Sequence, residues 1–232
     1  MPVSTLPARN ALDAVLARLR KAAADASRPQ PPRLLAVGKR HPAEAIAALA
    51  AAGQRAFGEN YVQEAAGKIE ALAGLDLEWH LIGHLQSNKA KQAAALFDWV
   101  QTVDRMKLVD ALSAHRPAAR GALNVLVQVN IDDESSKHGC APTEVPTLVA
   151  AIRAAPGLRL RGLMAIPAPH AEPSRRREAF ARMRRLFDTV AGQDPAIDTL
   201  SMGMSDDLEL AIAEGATMVR VGTALFGARL SR

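Results

Sequence analysis

The sequence predicts an α/β protein: a (β/α)8 TIM barrel with an extra N-terminal helix. Three observations carry this reading. Eight short apolar runs recur along 232 residues, and segments of helical period separate them. Strands alternating with helices call for a parallel sheet with helical crossovers. The length also suits a closed eight-stranded barrel, which typically needs about 250 residues. An open doubly wound sheet is the alternative, but no G-x-G-x-x-G follows the first strand.

The opening "MPVSTLPARNALDAVLARLRKAAADASRPQ" has an amphipathic period broken by charges, without the continuous apolar core of a signal peptide. It is expected to be a structural helix. "RLLAVG" (33–38) reads as the first buried strand. "HPAEA" puts Pro42 at the first position of a helix over 42–52, with Gly53 past its end. "RAFG" (55–58) is the second strand, followed by helical period over 60–73. The unit repeats as "EWHLIG" (78–83) with 88–96, and "DWVQTV" (98–103) with 105–115. "LNVLVQVN" (123–130) with 142–154 and "RLRGLMAI" (159–166) with 174–191 continue it. "DTLSMG" (198–203) precedes "MSDDLEL", where Ser205 is a candidate N-cap for a helix over 205–214. "TMVRVG" (217–222) completes the set and enters another short helix. No Gly/Ser linker or abrupt composition shift interrupts the pattern, so residues 1–232 are expected to form one domain.

Composition narrows the function classes. Aromatics are only 3%, so the core must be built mainly from Ala, Leu, Val and Ile. The single Cys140 excludes an intramolecular disulfide and a Cys-based zinc cage, which fits a reducing cytoplasm. No apolar stretch reaches the ~18 residues of a membrane span, so no membrane partner is expected. Net charge of +5 raises nucleic acid as a partner, but the basic residues are dispersed except in "SRRREAFARMRR". There Arg175, Arg176, Arg177, Arg182, Arg184 and Arg185 share a segment with Ala179, Phe180, Met183, Leu186 and Phe187. That pattern is a solvated helix face, and no nucleic-acid partner is expected.

The strand ends are where the chain stops being apolar. Ser201, Gly203 and Ser205 precede one helix, and Gly222 and Thr223 precede another. Barrels often bind phosphate with the loops after strands 7 and 8 and the N-terminus of a short helix. Turns and caps explain the same residues, and Asp206 and Asp207 must point away if phosphate binds there. Lys39 follows the first strand. Desolvation disfavours a charged amine, and a neutral amine can form a Schiff base with a carbonyl. The same lysine also reads as a solvated strand-end charge. If both features are functional, the ligand combines a carbonyl with a phosphate: a phosphosugar, as in an aldolase, or pyridoxal phosphate. Arg220 in the eighth strand could face a ring and keep a pyridine nitrogen unprotonated, or form a salt bridge inside the mouth. Asn60 reads as a ligand contact or a helix cap, and Tyr61 as packed on its helix. His80 and His84 point in different directions across a strand end and do not make a metal pair. Cys140 lacks an activating base. "DDES" (132–135) reads as a solvated loop.

Taken in order, "LLAVGK", "FGENYVQE", "WHLIGHLQSNK", "VLVQVNIDDESSKHG", "RGLMAIP", "LSMGMSDDLELAI" and "VRVGTALFGAR" resemble the pyridoxal phosphate homeostasis proteins. These are single-domain relatives of the alanine racemase barrel. The resemblance implies that Lys39 carries the cofactor. It places Ser201, Ser205, Gly222 and Thr223 at its phosphate, Arg220 at its ring nitrogen and Asn60 nearby. It further implies a cytoplasmic protein that binds, buffers and delivers pyridoxal phosphate without established turnover, with apo-enzymes as recipients. The family pattern around the lysine is usually "AVSKT", whereas this chain reads "AVGKR", with Gly38 and Arg40; His138 also replaces a usually small residue. An amino-acid racemase is the alternative. It would need a second acid/base group, which similar enzymes supply as a tyrosine from another domain across a dimer. The sequence ends about ten residues after the eighth strand, so the expectation is a monomer without such a domain.

Overall fold

The computed structural model describes residues 6–134, 138–168, 170–192 and 194–227. Eight parallel strands close into a barrel in sequence order. They are β1 (Arg33–Val37), β2 (Ala56–Glu59), β3 (Glu78–Leu81), β4 (Trp99–Val103), β5 (Leu123–Gln128), β6 (Leu158–Met164), β7 (Thr199–Ser201) and β8 (Met218–Val221). The helices are α1 (Leu6–Asp25), α2 (Ala43–Ala51), α3 (Val62–Ala71), α4 (Ala90–Leu96), α5 (Met106–His115), α6 (Val145–Ala154), α7 (Pro173–Ala191), α8 (Leu208–Ala213) and α9 (Thr223–Phe226). Each of the eight expected strands is present, and β8 closes on β1 with Leu35 opposite Arg220 and Ala36 opposite Val221. Among the described residues no helix is long and apolar enough to cross a membrane.

Strand alternation builds two cores. Outward residues such as Ala36, Phe57, Leu81, Val100, Val125, Leu163 and Val219 join helix side chains in one large cluster. In α2, Ile46, Leu49 and Ala50 form the inward stripe expected at i, i+3 and i+4. Fully burying a side chain of this kind contributes about 1.5–3 kcal/mol. Inside the barrel lie two smaller apolar groups: Leu35, Val37, Ala56, Ile82 and Met218, and Trp99, Leu126 and Met164. The interior is not all apolar. His80, Gln101, Ser201 and Arg220 are buried there too.

The basic segment behaves as a solvated face. In α7, Ala179, Phe180, Met183 and Phe187 are buried, while Arg177 pairs with Glu214 at 2.7 Å and Arg184 with Asp188 at 2.8 Å. Exposed pairs of this sort contribute little to stability.

Several local expectations are corrected. Pro42 is the N-cap residue of α2, in extended geometry, and not its first helical residue. Ser205 does not cap α8; Asp207 occupies that position, and its Oδ1 accepts from the Met204 N–H at 2.7 Å. This carboxylate is turned back onto its own loop, which starts the helix two residues later. Asn60 does not cap α3 either, because Tyr61 is the N-cap residue, and the Tyr61 side chain is exposed and not packed on the helix. Asp132 lies within the supposedly solvated "DDES" stretch, yet its carboxylate is buried. It accepts from the Ala168 N–H at 2.7 Å and from Arg182 at 2.5 Å, tying the β5 loop to the β6 loop and α7. Ser135 lies outside the described residues.

Candidate cofactor site at the barrel mouth

The C-terminal ends of β1, β7 and β8 bring most of the expected residues together. Lys39 is half-buried, two residues beyond the end of β1. Gly222 follows β8 directly, and a Cβ there would stand 3.4 Å from the Val37 carbonyl oxygen. The β8 loop therefore packs against the strand end that presents Lys39. The two loops are joined again by His41 and Phe226, whose rings stack at 4.7 Å. Thr223 opens α9 and is exposed at the rim.

The lysine loop is held from below by a buried charge cluster that sequence reasoning missed. Lys68 of α3 donates to the Gly38 carbonyl at 2.9 Å, to Glu59 Oε1 at 2.8 Å and to Glu64 Oε1 at 2.7 Å. The Glu64 carboxylate also accepts the Arg40 N–H, and Arg40 has a positive φ of 63°. Gly38 has a physical reason in this setting: a Cβ at that position would lie 2.7 Å from Glu59 Oε1. Burial raises the Glu59 carboxyl to about 7, against the attraction of Lys68. Its second oxygen has no hydrogen-bond partner among the described residues.

Arg220 points into the barrel beneath this rim, 4% exposed. It donates to the Ser201 hydroxyl and the Ala165 carbonyl, each at 2.8 Å, and both partners are neutral. Burial pulls the guanidinium down to about 10, although Asp207 favours its charge. The salt bridge weighed for Arg220 is absent among the described residues. The Ser201 hydroxyl is fully buried and donates to Gln101 Oε1 at 2.7 Å, so it faces the barrel interior. The backbone links β8 to the preceding loop, because the Arg220 N–H donates to the Gly203 carbonyl at 3.0 Å. Gly203 has φ +90°, and a Cβ there would meet the Ala211 Cβ at 2.5 Å. Only glycine fits this turn. Ser205 and Asn60 stand half-exposed at the rim.

The remaining candidates fall outside this group. His80 is buried in the barrel and stacks on Trp99 at 5.0 Å. His84 stacks on His138 at 3.8 Å near the rim, and burial and the neighbouring imidazole lower its pKa. Among the described residues no group of three His, Cys, Asp or Glu could hold a metal. Burial pushes the Cys140 thiol up to about 12, which leaves it unreactive.

These residues fit pyridoxal phosphate. A buried guanidinium with neutral partners suits an acceptor such as a pyridine nitrogen. The Gly203 and Gly222 loops carry Ser205 and Thr223, and the Gly222 loop packs against the end of β1 that leads to Lys39. Residues 11–230 match the family model described as "Alanine racemase, N-terminal domain". The "Pyridoxal phosphate homeostasis protein" of Pseudomonas aeruginosa is 56% identical over 217 residues, 93% of each chain. The structure of PipY from Synechococcus elongatus without PLP superposes with a TM-score of 0.84 at 37% identity, covering 94% of this chain and 99% of that one. PipY with PLP bound matches with a TM-score of 0.74 at 38% identity, covering 90% and 100%. The alanine racemase of Corynebacterium glutamicum, at 21% identity and a TM-score of 0.68, shares the fold over 94% of this chain and 62% of its own. By sequence and fold alike, the chain belongs to the pyridoxal phosphate homeostasis protein family.

Proposed function

We propose that the protein binds pyridoxal 5'-phosphate and serves its intracellular homeostasis, buffering and delivering the cofactor without catalytic turnover. The observation that carries this reading is the placement of the Lys39 loop beside the Gly222–Thr223 loop, directly above the buried Arg220. The PLP-bound structure of PipY and the names of the curated relatives support it. In this reading residues 1–232 form one binding domain, acting as a cytoplasmic monomer with apo-enzymes as recipients.

Each residue has a stated task. Lys39 supplies the amine that holds the cofactor's carbonyl carbon. Ser205, Gly222 and Thr223 receive the phosphate, and Asn60 lines the rim beside them. Ser201 acts through Arg220, since its hydroxyl is committed inside the barrel. Arg220 offers only donors to the ring nitrogen and so keeps it an acceptor. Bound pyridoxal phosphate supplies an electron sink for carbanion chemistry, and that sink is weak when the ring nitrogen is unprotonated. Racemisation also needs acid/base groups on opposite faces of the substrate. The sole tyrosine, Tyr61, is 56% exposed and follows β2, the immediate neighbour of β1.

The test is the visible absorption spectrum after saturation with pyridoxal phosphate, for wild type beside Lys39→Ala. Wild type should show the band of lysine-linked cofactor. The variant should lose the band while keeping weak binding through the phosphate loops. A wild-type protein without the band would overturn the assignment. Deuterium exchange at the α-carbon of a panel of amino acids tests the absence of turnover; exchange above that of free cofactor would overturn that part alone.

A further inference from the structure

Arg220 is the upper end of a hydrogen-bonded column that runs down through the barrel. Arg220 donates to Ser201, and Ser201 donates to Gln101 Oε1 at 2.7 Å. The Gln101 amide nitrogen lies 2.9 Å from His80 Nδ1, and His80 Nε2 bonds Glu78. Glu78 is also paired at 2.8 Å with Arg33. Arg33 and Glu78 are the first residues of β1 and β3, whereas Ser201 is the last residue of β7. The column therefore connects the bottom of the barrel to its mouth, with His80, Gln101, Ser201 and Arg220 all buried.

Chemistry fixes its direction. Burial opposes a charge on Glu78, but the hydrogen bonds from His80 and Arg33 and the charge of Arg33 hold its carboxyl below the usual carboxylate range. A carboxylate only accepts, so His80 Nε2 carries the hydrogen. Burial disfavours a second proton on His80, which leaves Nδ1 as an acceptor. The Gln101 amide must then turn its NH2 toward His80 and its oxygen toward Ser201. The Ser201 hydroxyl is spent as a donor on that oxygen, so it meets Arg220 with a lone pair. A guanidinium has donors only, and each link has one permitted orientation.

We infer that Gln101, His80 and Glu78 are positioning residues for the cofactor, acting through Ser201 to lock Arg220 as the fixed donor at the ring nitrogen. This rests on the pyridoxal phosphate reading above for the ligand, but the column and its effect on Arg220 exist without it. Gln101 touches neither the mouth nor Arg220, so its substitution tests the column and not a direct contact.

The experiment compares wild type with Gln101→Leu, Gln101→Glu and Ser201→Ala. Gln101→Leu removes both links at similar volume. Gln101→Glu keeps both links, because burial favours the neutral acid, whose carbonyl oxygen accepts from Ser201 and whose O–H donates to His80 Nδ1. The first readout needs no cofactor: phenylglyoxal modification of Arg220 in the cofactor-free protein, followed by peptide mass spectrometry. Arg116, which donates to the Ala94 and Phe97 carbonyls, serves as an internal reference for general loosening. Arg220 should react roughly tenfold faster in Gln101→Leu and Ser201→Ala relative to Arg116, and at the wild-type rate in Gln101→Glu. The second readout is the 15N shift of pyridoxal phosphate labelled at the ring nitrogen. It should move in Gln101→Leu and Ser201→Ala and stay in place in Gln101→Glu. Unchanged relative Arg220 reactivity in Gln101→Leu overturns the inference, whatever Ser201→Ala does, because Ser201→Ala removes a direct contact of Arg220. If Gln101→Leu does not fold, Gln101→Met, of similar length and without the amide, replaces it. A wild-type protein that gives no bound 15N signal counts against the cofactor reading, and the Arg220 labelling still judges the column.

Discussion

Glu59→Gln gives a quantitative test of the cluster beneath the lysine loop. Glu59 is fully buried, with one oxygen on Lys68 and the other without a hydrogen-bond partner among the described residues. Burial raises its carboxyl from 4.5 to about 7 in the folded protein. Between these values the folded chain keeps a proton that the unfolded chain has released. The group's contribution to stability is therefore greatest below the unfolded value, declines as pH rises through the window, and is level above about 7. Each pH unit well inside the window is worth about 1.4 kcal/mol and less near either pKa, so the decline between pH 5 and 7 amounts to about 2 kcal/mol. Glutamine cannot ionise, yet it still offers Lys68 an acceptor, and Lys68 retains Glu64 and the Gly38 carbonyl. Urea unfolding of both proteins at pH 5 and pH 7.5, followed by circular dichroism, isolates the group because other titrations cancel in the difference. Wild type should lose about 2 kcal/mol more than Glu59→Gln across that interval. Parallel pH dependence in the two proteins would show that Glu59 titrates at its ordinary value, and the argument from burial would fail.

Two other perturbations address separate parts of the mouth. Gly203→Ala forces a side chain onto a backbone at φ +90° and within 2.5 Å of the Ala211 Cβ, so it should cost about 1–3 kcal/mol in urea unfolding. Equilibrium dialysis should show weaker retention of pyridoxal phosphate in the same variant, and unchanged unfolding would contradict the close packing of that turn. Cys140 is 3% exposed and its thiol is pushed up to about 12, so thiol reagents at pH 8 should label it only as fast as the protein opens. Complete labelling under native conditions, ahead of unfolding, would refute that burial.

The barrel was legible because its signal is local. Short apolar runs and the helical period between them are set by neighbours in sequence, and all eight strands and the helices between them fall where these patterns place them. Most strand ends were read too long, because Ile82, Val129 and Ala165 are apolar and each still donates its N–H to the last residue of the neighbouring strand. By contrast, β2 runs one residue past its expected end, to Glu59. The position of Lys39 beside the Gly222 loop also followed from strand order, since β8 must close on β1. What the sequence hid is made of long-range pairs. Links in the column join residues 21, 100 and 19 positions apart, on four different strands. Gln101 had a faint signal: a polar residue in an otherwise apolar strand, two positions from Trp99 and on the same face. Glu59 had a similar one, a charge closing a buried strand. Period-2 alternation says which way such a residue points, but it cannot say what meets it there.

The interior of this barrel combines two costs that a purely structural core would avoid. A column of polar groups replaces apolar packing between β3, β4, β7 and β8, and it stabilises the fold only while each group keeps its partner, since an orphaned one costs about 1–3 kcal/mol. At the top of that column stands a guanidinium whose described hydrogen bonds go to neutral groups, and burial works against its charge. Both costs make sense if the column exists to hold that cation at a ligand. In the proposed reading the same arrangement favours keeping a cofactor over using it. Arg220 would fix the ring nitrogen as an acceptor, and Lys39 would provide the amine from one side. Tyr61 lies exposed beside it on the neighbouring strand's loop instead of across the mouth. Under the proposed function such a site puts its buried charge into retention, which is the demand that buffering and delivery would place on it.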